Sequence, residues 1–373
     1  MSQATTPIDF TLPDELAAAE PPEARGLPRD EVRLLVARTE GLRHFRFRDL
    51  GGLLRPGDLV VVNNSATLAA AVDGERAGGS PVVVHFSAPL EDGSWIAELR
   101  SPDGSGPMTD AAAGEVVDLR AGGERLKLAS AHPDAAVETG SRLWRVRVTL
   151  DGPVEDYLAS YGRPITYGYV RGRWPLESYQ TVFARHPGSA EMPSAGRPFT
   201  HRLVTHMVAD GVTFAPLLLH TGVSSFEAGE RPPAERFRVP APTAALVNLT
   251  RRNGGLVVAV GTTVARALES AARPDGTVVP AEGWTNLVLG PERPARVVDA
   301  LITGWHAPRA SHLLLLEAVA GRPLVERAYD AALASRYLWH EFGDSCLFVA
   351  PTRALPLAGD RGASFTTSGR RAA

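Results

Sequence analysis

The sequence contains a single cysteine, Cys346, among its 373 residues. One thiol cannot form an internal disulfide, and it cannot supply the cysteine pairs of a structural zinc site. No long uncharged apolar run occurs, so no transmembrane helix is predicted and no membrane partner is expected. The first ten residues have neither a basic side chain nor an apolar core, which disfavours a secretory signal. These absences favour a cytoplasmic protein.

Lysine is almost missing. Lysine and arginine total 39 residues, and Lys127 is the one lysine among them. The formal net charge of −3 excludes a uniformly basic surface for nucleic acid, but it permits a local basic patch. Contacts to phosphate would therefore be made by guanidinium groups, which can bind two oxygens at once.

Several well-known catalytic motifs are also absent. The chain has no Gly-x-Ser-x-Gly elbow, no Walker phosphate loop, no His-Glu-x-x-His and no Cys-x-x-Cys. A Gly-x-Gly-x-x-Gly motif does not follow any predicted strand. Classical hydrolase, ATPase and metalloprotein functions therefore lose support.

The chain length exceeds the usual size of one hydrophobic core, which predicts two domains. Between about residues 71 and 150, short β-rich runs follow one another, and Gly, Pro and Asp separate them. The runs cover residues 82–86, 95–99, 115–119, 125–128 and 143–148. No convincing long helix lies between them, so this stretch predicts a small antiparallel barrel or sandwich.

Outside this stretch the pattern indicates an α/β core. Strands are predicted over residues 33–37, 44–47, 59–62, 212–219, 256–260 and 346–349, and helices over residues 200–209, 242–252, 263–272 and 310–320. We therefore predict an α/β main domain, residues 1–70 and 151–350, that carries an inserted all-β, barrel-like domain, residues 71–150. Residues 351–373 are rich in Gly, Arg, Ser and Thr, which predicts a disordered tail.

The sharpest local motif is Gly261-Thr262-Thr263, between a buried strand and a helix. The glycine permits a sharp turn, and a helix N-terminus attracts anions such as a carboxylate. An ordinary βα turn with a threonine N-cap would have the same sequence. Both interpretations remain open for this motif.

Other polar residues lie next to apolar runs. His220 ends the strand over 212–219, and a polar side chain at the carboxyl end of a strand can meet a ligand. Ser194 and Gly196 lie in a tight loop before Thr200, a predicted helix N-cap. Structural roles as caps, turns or satisfied core groups explain each of them equally well. Further polar residues that lie next to apolar runs are Asn63, Asn64, Tyr179, Gln180, Thr181, Asp299, Thr303, His306 and Asp344.

Taken in order, these segments resemble the S-adenosylmethionine:tRNA ribosyltransferase-isomerase family of queuosine biosynthesis. The resemblance spans nearly the whole chain before the tail. It is carried by Asp9-Phe10, Arg55-Pro-Gly-Asp58, Asn63-Asn64, Tyr179-Gln-Thr181, Pro193-Ser-Ala-Gly196, Leu219-His220, Gly261-Thr262-Thr263, Gly283-Trp284-Thr285, Asp299-Ala-Leu-Ile-Thr303 and Gly343-Asp344. The family's architecture, an α/β domain with an inserted β-barrel, agrees with the pattern above.

The resemblance implies an unusual reaction of S-adenosylmethionine, with tRNA as the second partner. Family enzymes are thought to remove a proton beside the sulfonium and to expel adenine. They then join the ribose carbons to the aminomethyl group of a deazaguanine in the tRNA anticodon, and methionine leaves. The resemblance implies S-adenosylmethionine as a substrate, no permanently bound cofactor and no metal.

The resemblance also assigns roles to residues. Glu235, Asp344 and His220 are the candidates for acid–base catalysis or contacts to the substrate amine, and the helix start at Gly261 is a candidate clamp for the methionine carboxylate. The expected substrate-binding residues are Asn63, Asn64, Tyr179, Gln180, Thr181, Ser194, Gly196, Gly261, Thr262, Thr263, Asp299, Thr303 and His306.

The chain departs from the family pattern in three motifs. Ser65-Ala66 replaces the usual Thr-Arg, Arg197-Pro198 replaces Leu-His, and Pro232-Pro233 replaces a Met-His pair. These changes remove a guanidinium and titratable imidazoles. Two alternatives therefore stand beside the family reaction: an enzyme that uses S-adenosylmethionine on a small molecule, and a non-catalytic nucleoside-binding protein. The stretch 161–174, with arginines among aromatics, is either an acceptor or RNA-contacting loop or a solvated loop.

Overall fold

The computed structural model describes residues 8–120, 122–223 and 233–351. In chain order, its strands are β1 (Arg33–Arg38), β2 (Gly41–Arg46), β3 (Leu59–Asn63), β4 (Ser65–Thr67), β5 (Ala71–Arg76), β6 (Pro81–Pro89), β7 (Trp95–Arg100), β8 (Val116–Leu119), β9 (Arg125–His132), β10 (Leu143–Thr149), β11 (His186–Ser189), β12 (Thr213–Leu219), β13 (Glu235–Val239), β14 (Val257–Val260), β15 (Ala281–Thr285), β16 (Ala300–Gly304) and β17 (Ser345–Val349). Its helices are α1 (Val154–Tyr161), α2 (His201–Ala209), α3 (Ala241–Arg252), α4 (Thr262–Ser270), α5 (Ser311–Ala320) and α6 (Arg322–Ala334).

Nine strands form one mixed sheet in the order β15-β13-β12-β3-β14-β16-β17-β1-β2. At its centre β12, β3, β14 and β16 are parallel, and the outer pairs are mostly antiparallel. Every residue of β3 and β14 is buried. Such uninterrupted apolar strands are typical of a parallel sheet covered on both faces. The carboxyl ends of the central strands consequently meet at one edge of the sheet.

Helices cover both faces of this sheet. Along β3, Leu59 and Val61 pack into the core formed with α3, α4, α5 and α6. The alternate residues, Val60 and Val62, pack into a second core with α2 and the short 3₁₀ helix Phe47–Leu53. This two-residue alternation follows from the pleat of a strand, which points successive side chains to opposite faces. The main sheet is therefore a three-layer α/β structure.

The other large β-structure is a closed antiparallel barrel in the order β10-β7-β6-β5-β8-β9. Its strands all fall between residues 71 and 149. A separate apolar core fills it, with Phe86, Leu99 and Trp144 fully buried and α1 packed against it through Leu158. Closure leaves no unpaired strand edge. The predicted fold class, an α/β main domain with an inserted barrel-like domain, is confirmed.

Most predicted elements occur within a few residues of their expected positions. The hydroxyl of Thr200 accepts a hydrogen bond from the Leu203 amide at 3.1 Å, which confirms the predicted N-cap of α2. The segment 310–320 forms the buried helix α5. Elements that the sequence did not predict are α1, α6, β4, β5, β11, β13, β15 and β16. The domain boundaries stay a prediction, and the predicted tail, apart from its first residue, lies outside the described residues.

Within the described residues, no helix combines the length and apolar character that a bilayer crossing requires.

Candidate active site

A cavity of about 420 Å³ opens at the carboxyl ends of β14 and β16. Its wall also includes residues after β11, the segment 165–169 and the loop before β17. A ligand site at this edge is expected for a sheet with parallel central strands. The cavity volume falls in the usual range for small-molecule sites, roughly 300–1,000 Å³.

The amino end of α4 forms one part of the wall. Gly261 caps this helix with a φ of 95°, a conformation that suits glycine, and Thr262 and Thr263 follow it along the cavity. The first amides of a helix have no acceptor within the helix, and the helix dipole favours an anion there. Among the described residues, the buried Thr263 hydroxyl has no hydrogen-bond partner. This end of α4 is thus suited to a carboxylate.

An ion pair joins β13 to α4 in the cavity wall. The Arg266 guanidinium donates a hydrogen bond to the Glu235 carboxylate, and the Gly222 amide donates another at 3.2 Å. Arg266 also donates to the Thr285 carbonyl at 3.0 Å, which fixes the guanidinium. Burial raises the pKa of Glu235, and Arg266 opposes this change by favouring the charged carboxylate.

Three rings form a second part of the cavity wall, which we call the aromatic wall: Tyr167, Tyr169 and His340. The rings of Tyr169 and His340 stack at 4.1 Å and 18°, and Tyr167 stacks on Tyr169 at 6.1 Å and 26°. Each tyrosine hydroxyl donates to a carboxylate, Tyr169 to Glu341 and Tyr167 to Glu191. Burial raises the pKa of Glu341 to about 7. The aromatic wall therefore combines flat apolar faces with acidic groups.

Histidines complete the lining without adding positive charge. The rings of His306 and His312 stack at 4.6 Å, and His306 Nε2 lies 2.9 Å from the Thr303 hydroxyl. Burial lowers the pKa of His312, and likewise that of His340, to about 4 and depresses that of His306 strongly. All three imidazoles are thus neutral at pH 7.

The charges of the cavity do not balance. Among the described residues that line it, Glu191, Glu235 and Glu341 are acidic, and Arg266 is the one basic side chain that is charged at pH 7. Glu191 is near enough to the other two carboxylates to raise the pKa of both. The cavity therefore attracts a ligand with positive charge.

Half of the predicted site residues meet in this cavity. They are Tyr179, Ser194, Glu235, Gly261, Thr262, Thr263, Thr303 and His306. These residues come from five separate segments of the chain, which the fold brings to one edge of the sheet.

The other predicted residues lie outside the cavity wall and make structural contacts. The Asn63 side chain bridges to β12 by accepting from the Leu219 amide at 3.1 Å and donating to the Leu219 carbonyl at 2.7 Å. Gln180 forms the same double contact with the Thr67 backbone at 3.0 and 2.8 Å. Asp299 accepts from the Val257 amide at 2.9 Å, at the amino ends of the strands and so away from the cavity.

Three further predicted residues lie near these. Asn64 follows Asn63, the last residue of β3, and its side-chain oxygen is buried without a hydrogen-bond partner among the described residues. The Thr181 hydroxyl accepts from the Phe183 amide at 3.2 Å. Gly196 packs against Thr181 so closely that an added Cβ would lie 3.3 Å from the Thr181 methyl carbon. Their roles in substrate binding stay predictions.

Two of the three predicted catalytic residues also lie outside the cavity wall. His220 Nδ1 lies 2.7 Å from the Ser65 hydroxyl, and burial lowers the His220 pKa to about 4. Asp344 accepts from the amides of Arg33 at 2.7 Å and Leu338 at 2.8 Å, and its carboxylate also pairs with the Arg33 side chain. Asp344 thereby secures the loop that presents His340. A catalytic role for either residue stays a prediction.

Sequence reasoning missed several residues that line the cavity. Tyr167 and Tyr169 lie in the stretch 161–174, and the aromatic and arginine content of this stretch is the sequence signal that indicates it. Arg266 lies four residues after Thr262, one helical turn along α4, and this spacing could have identified it. The other missed ionisable residues are Glu191, His312, His340 and Glu341, and no local pattern marks them.

The three motifs that depart from the family pattern contact different parts of the structure. The Ser65 hydroxyl lies 2.6 Å from the Ser189 hydroxyl, next to His220. Arg197 is buried and forms an ion pair with Glu23 at 2.8 Å, so it belongs to the protein interior and does not line the cavity. The Pro233 carbonyl accepts a hydrogen bond from Arg266. Pro232 lies outside the described residues.

No group of three or more His, Cys, Asp or Glu side chains in the described part of the chain is arranged to hold a metal ion. The expectation of a metal-free site stays a prediction.

Fold and site together define the class: an α/β protein with an inserted barrel and a buried, acidic ligand cavity at the ends of its parallel strands. More specifically, the chain belongs to the family described as queuosine biosynthesis protein, whose model matches residues 5–348. The resemblance expected from the sequence motifs is therefore confirmed.

Individual relatives agree with this assignment. The chain is 34% identical over 360 residues to an S-adenosylmethionine:tRNA ribosyltransferase-isomerase from Acaryochloris marina, which covers 94% of both chains. A protein of the same name from Thermus thermophilus is 36% identical over 91% of this chain and 98% of its own. The crystal structure of an S-adenosylmethionine tRNA ribosyltransferase from Thermotoga maritima matches with a TM-score of 0.50 and 30% identity, over 91% of this chain and 99% of that one.

Proposed function

We propose that this protein is an S-adenosylmethionine:tRNA ribosyltransferase-isomerase. It transfers and isomerises the ribosyl moiety of S-adenosylmethionine onto a deazaguanine base in tRNA, and it releases adenine and methionine. Membership of the family and the names of its full-length relatives support this function. The structural observation that carries the proposal is the acidic cavity that contains the amino end of α4.

The charges of the cavity match those of the proposed substrate. S-adenosylmethionine carries a sulfonium and an ammonium, both positive, and one carboxylate. Glu191 and Glu235 together outnumber Arg266 and complement the positive groups, and the helix start at Gly261 complements the substrate carboxylate. The neutral imidazoles of His306 and His312 add no repulsion to a cation.

Glu235 is the residue that we assign as the base. It is the one predicted catalytic residue that lines the cavity, and its carboxylate is held in place by Arg266 and the Gly222 amide. Burial strengthens a carboxylate as a base, because its charge is poorly solvated and its pKa rises. Removal of the proton beside the sulfonium would then start the rearrangement.

We further propose that the reaction needs no metal and no permanently bound cofactor. The sulfonium itself acidifies the neighbouring C–H bond and makes methionine a good leaving group. The same proposal places the protein in the cytoplasm, where its tRNA substrate would be available; a single buried cysteine fits a reducing compartment.

The deciding experiment measures adenine and methionine release from S-adenosylmethionine by the purified protein. The reactions contain tRNA with the aminomethyl deazaguanine, unmodified tRNA, or no RNA. Release only with the modified tRNA is the expected result. Release without RNA would instead favour a small-molecule acceptor, and binding without any release would favour a non-catalytic protein. Both alternatives draw support from the departures at Ser65 and Pro233.

A further inference from the structure

The aromatic wall and Glu341 are not used by the chemistry assigned above. They come from other chain segments than Glu235 and the end of α4, namely the stretch 165–169 and the loop before β17. A transferase needs room for two reactants. The cavity lining contains two chemically different groups of residues that could serve them.

A second observation indicates a ligand at this region. The Tyr179 hydroxyl is buried and has no hydrogen-bond partner among the described residues, although it belongs to the cavity lining. Burial raises the pKa of Tyr179, and the nearby Glu341 carboxylate raises it further. A buried hydroxyl without a partner is unfavourable, and a ligand that pairs with it would remove that penalty.

We infer that Glu341, Tyr169 and His340 form the acceptor subsite, in which the aromatic wall holds a flat heterocycle and Glu341 deprotonates its primary ammonium. This inference rests on the proposed function. In the step, an N–H bond of the ammonium breaks and its electron pair stays on nitrogen. The proton forms an O–H bond on Glu341, which later returns it to water. The product of this step is a neutral amine, the nucleophile that the ribosyl transfer requires.

The physical properties of this acceptor subsite suit proton transfer better than the permanent binding of a cation. A sulfonium keeps its charge at every pH and needs a partner that stays ionised. Burial instead brings the pKa of Glu341 to about 7, so this carboxyl exchanges a proton readily at neutral pH. The hydroxyl of Tyr169 orients the carboxylate, which makes Tyr169 a positioning residue.

The test compares the full-length protein with Glu341→Gln and Tyr169→Phe, and with Glu292→Gln as a control in an exposed loop. Adenine release with modified tRNA gives kcat, and calorimetry gives the Kd values of S-adenosylmethionine and of the free aminomethyl deazaguanine base. We expect Glu341→Gln to lower kcat by roughly 100-fold. It should also weaken binding of the base, while the Kd of S-adenosylmethionine changes less than about twofold. The control should match the wild type.

The pH dependence of kcat distinguishes proton transfer by Glu341 from a purely structural role of this residue. The kcat of the wild type should fall below about pH 7, where Glu341 becomes protonated. Tyr169→Phe removes a hydrogen bond that favours the charged carboxylate, so this fall should move to higher pH while the ring remains. An unchanged profile in Tyr169→Phe, or an unchanged kcat in Glu341→Gln, would overturn the inference. So would a Glu341→Gln protein that binds the base normally but loses S-adenosylmethionine.

The two proposals can fail separately. If the wild type turns over and Glu341→Gln does so equally well, the subsite is wrong and the proposed function stands. If the wild type never releases adenine but binds the free base through Glu341, the subsite stands and the proposed function fails. A wild type that neither turns over nor binds the base contradicts both.

Discussion

The carboxylate of Asp344 accepts a hydrogen bond from the amide of Leu338 at 2.8 Å, and the Asp344 amide donates back to the Leu338 carbonyl at 2.8 Å. This reciprocal pair closes the loop that carries His340 and Glu341 into the cavity. His340 has a φ of 71°, so the loop holds a non-glycine residue in a left-handed conformation that needs such support.

The first prediction concerns this loop. Replacing Asp344 with Ala leaves the amides of Arg33 and Leu338 without their acceptor and removes the carboxylate that pairs with the Arg33 guanidinium. We expect the free energy of unfolding to fall by about 3 kcal/mol. Turnover with the acceptor tRNA should also fall, because this loop carries His340 and Glu341. Chemical denaturation measures the first effect, and Asp330→Ala on the exposed side of α6 is the control, expected within about 0.5 kcal/mol of the wild type. A fully stable and active Asp344→Ala would show that the loop is held by other contacts.

A second prediction concerns the base. Glu235→Gln preserves the shape of the side chain but removes its charge. We expect kcat for adenine release to fall by at least roughly 100-fold, because a neutral amide cannot take up the proton. The protein should also lose stability, because Arg266 remains charged and buried without its partner. Normal turnover by a correctly folded Glu235→Gln would remove this residue as the base.

A third prediction concerns the start of α4. Gly261 has φ 95° and ψ 155°, a region used almost solely by glycine, although a Cβ there would meet its nearest neighbour at an ordinary 3.4 Å. Gly261→Ala should therefore destabilise through backbone strain, by about 1–3 kcal/mol. It should weaken S-adenosylmethionine binding as the turn shifts. Gly41→Ala is the matched control, because Gly41 lacks a positive φ and has open space. Equal behaviour of the two variants would contradict this account.

A fourth prediction concerns pH and stability. The folded-state pKa of Glu341 lies above its ordinary value of 4.5, at about 7. A raised carboxyl pKa means that the folded state binds this proton more tightly, so the stabilisation is present below pH 4.5 and is lost as pH rises through 7. Between these limits the loss is about 3 kcal/mol. Denaturation of Glu341→Gln across this window should lack that loss, and comparison with the wild type cancels the contributions of the buried histidines. If the free energies of unfolding of the two proteins changed with pH in the same way, this result would contradict the raised pKa.

The last prediction concerns metal. Exhaustive dialysis against a chelator should leave adenine release unchanged, because the proposed chemistry uses the sulfonium and protein carboxylates. An anticodon stem-loop folded in monovalent salt serves as the acceptor, so that RNA folding does not depend on Mg²⁺. Activity that disappears and returns on addition of a divalent ion would contradict a metal-free reaction.

The sequence by itself determined the fold class and those elements that have a clear local pattern. The uninterrupted apolar runs of β3 and β14 are local patterns, as are the capping threonine of α2 and the glycine before α4. Each depends on neighbours a few residues away, so periodicity and turn chemistry suffice to predict it. The closely spaced β-rich runs likewise predicted the inserted barrel.

Only the tertiary structure decided which polar groups face one another. Tyr169 and Glu341 are 172 residues apart and form a hydrogen bond, and no local pattern relates them. Asn63 and Asp344 were predicted with the site residues because they belong to the same motifs, but their hydrogen bonds are used to join strands and close a loop. Membership of a motif indicates only where a residue lies in the sequence. Its chemistry depends on burial and on the partners that packing brings to it, which are properties of the folded molecule.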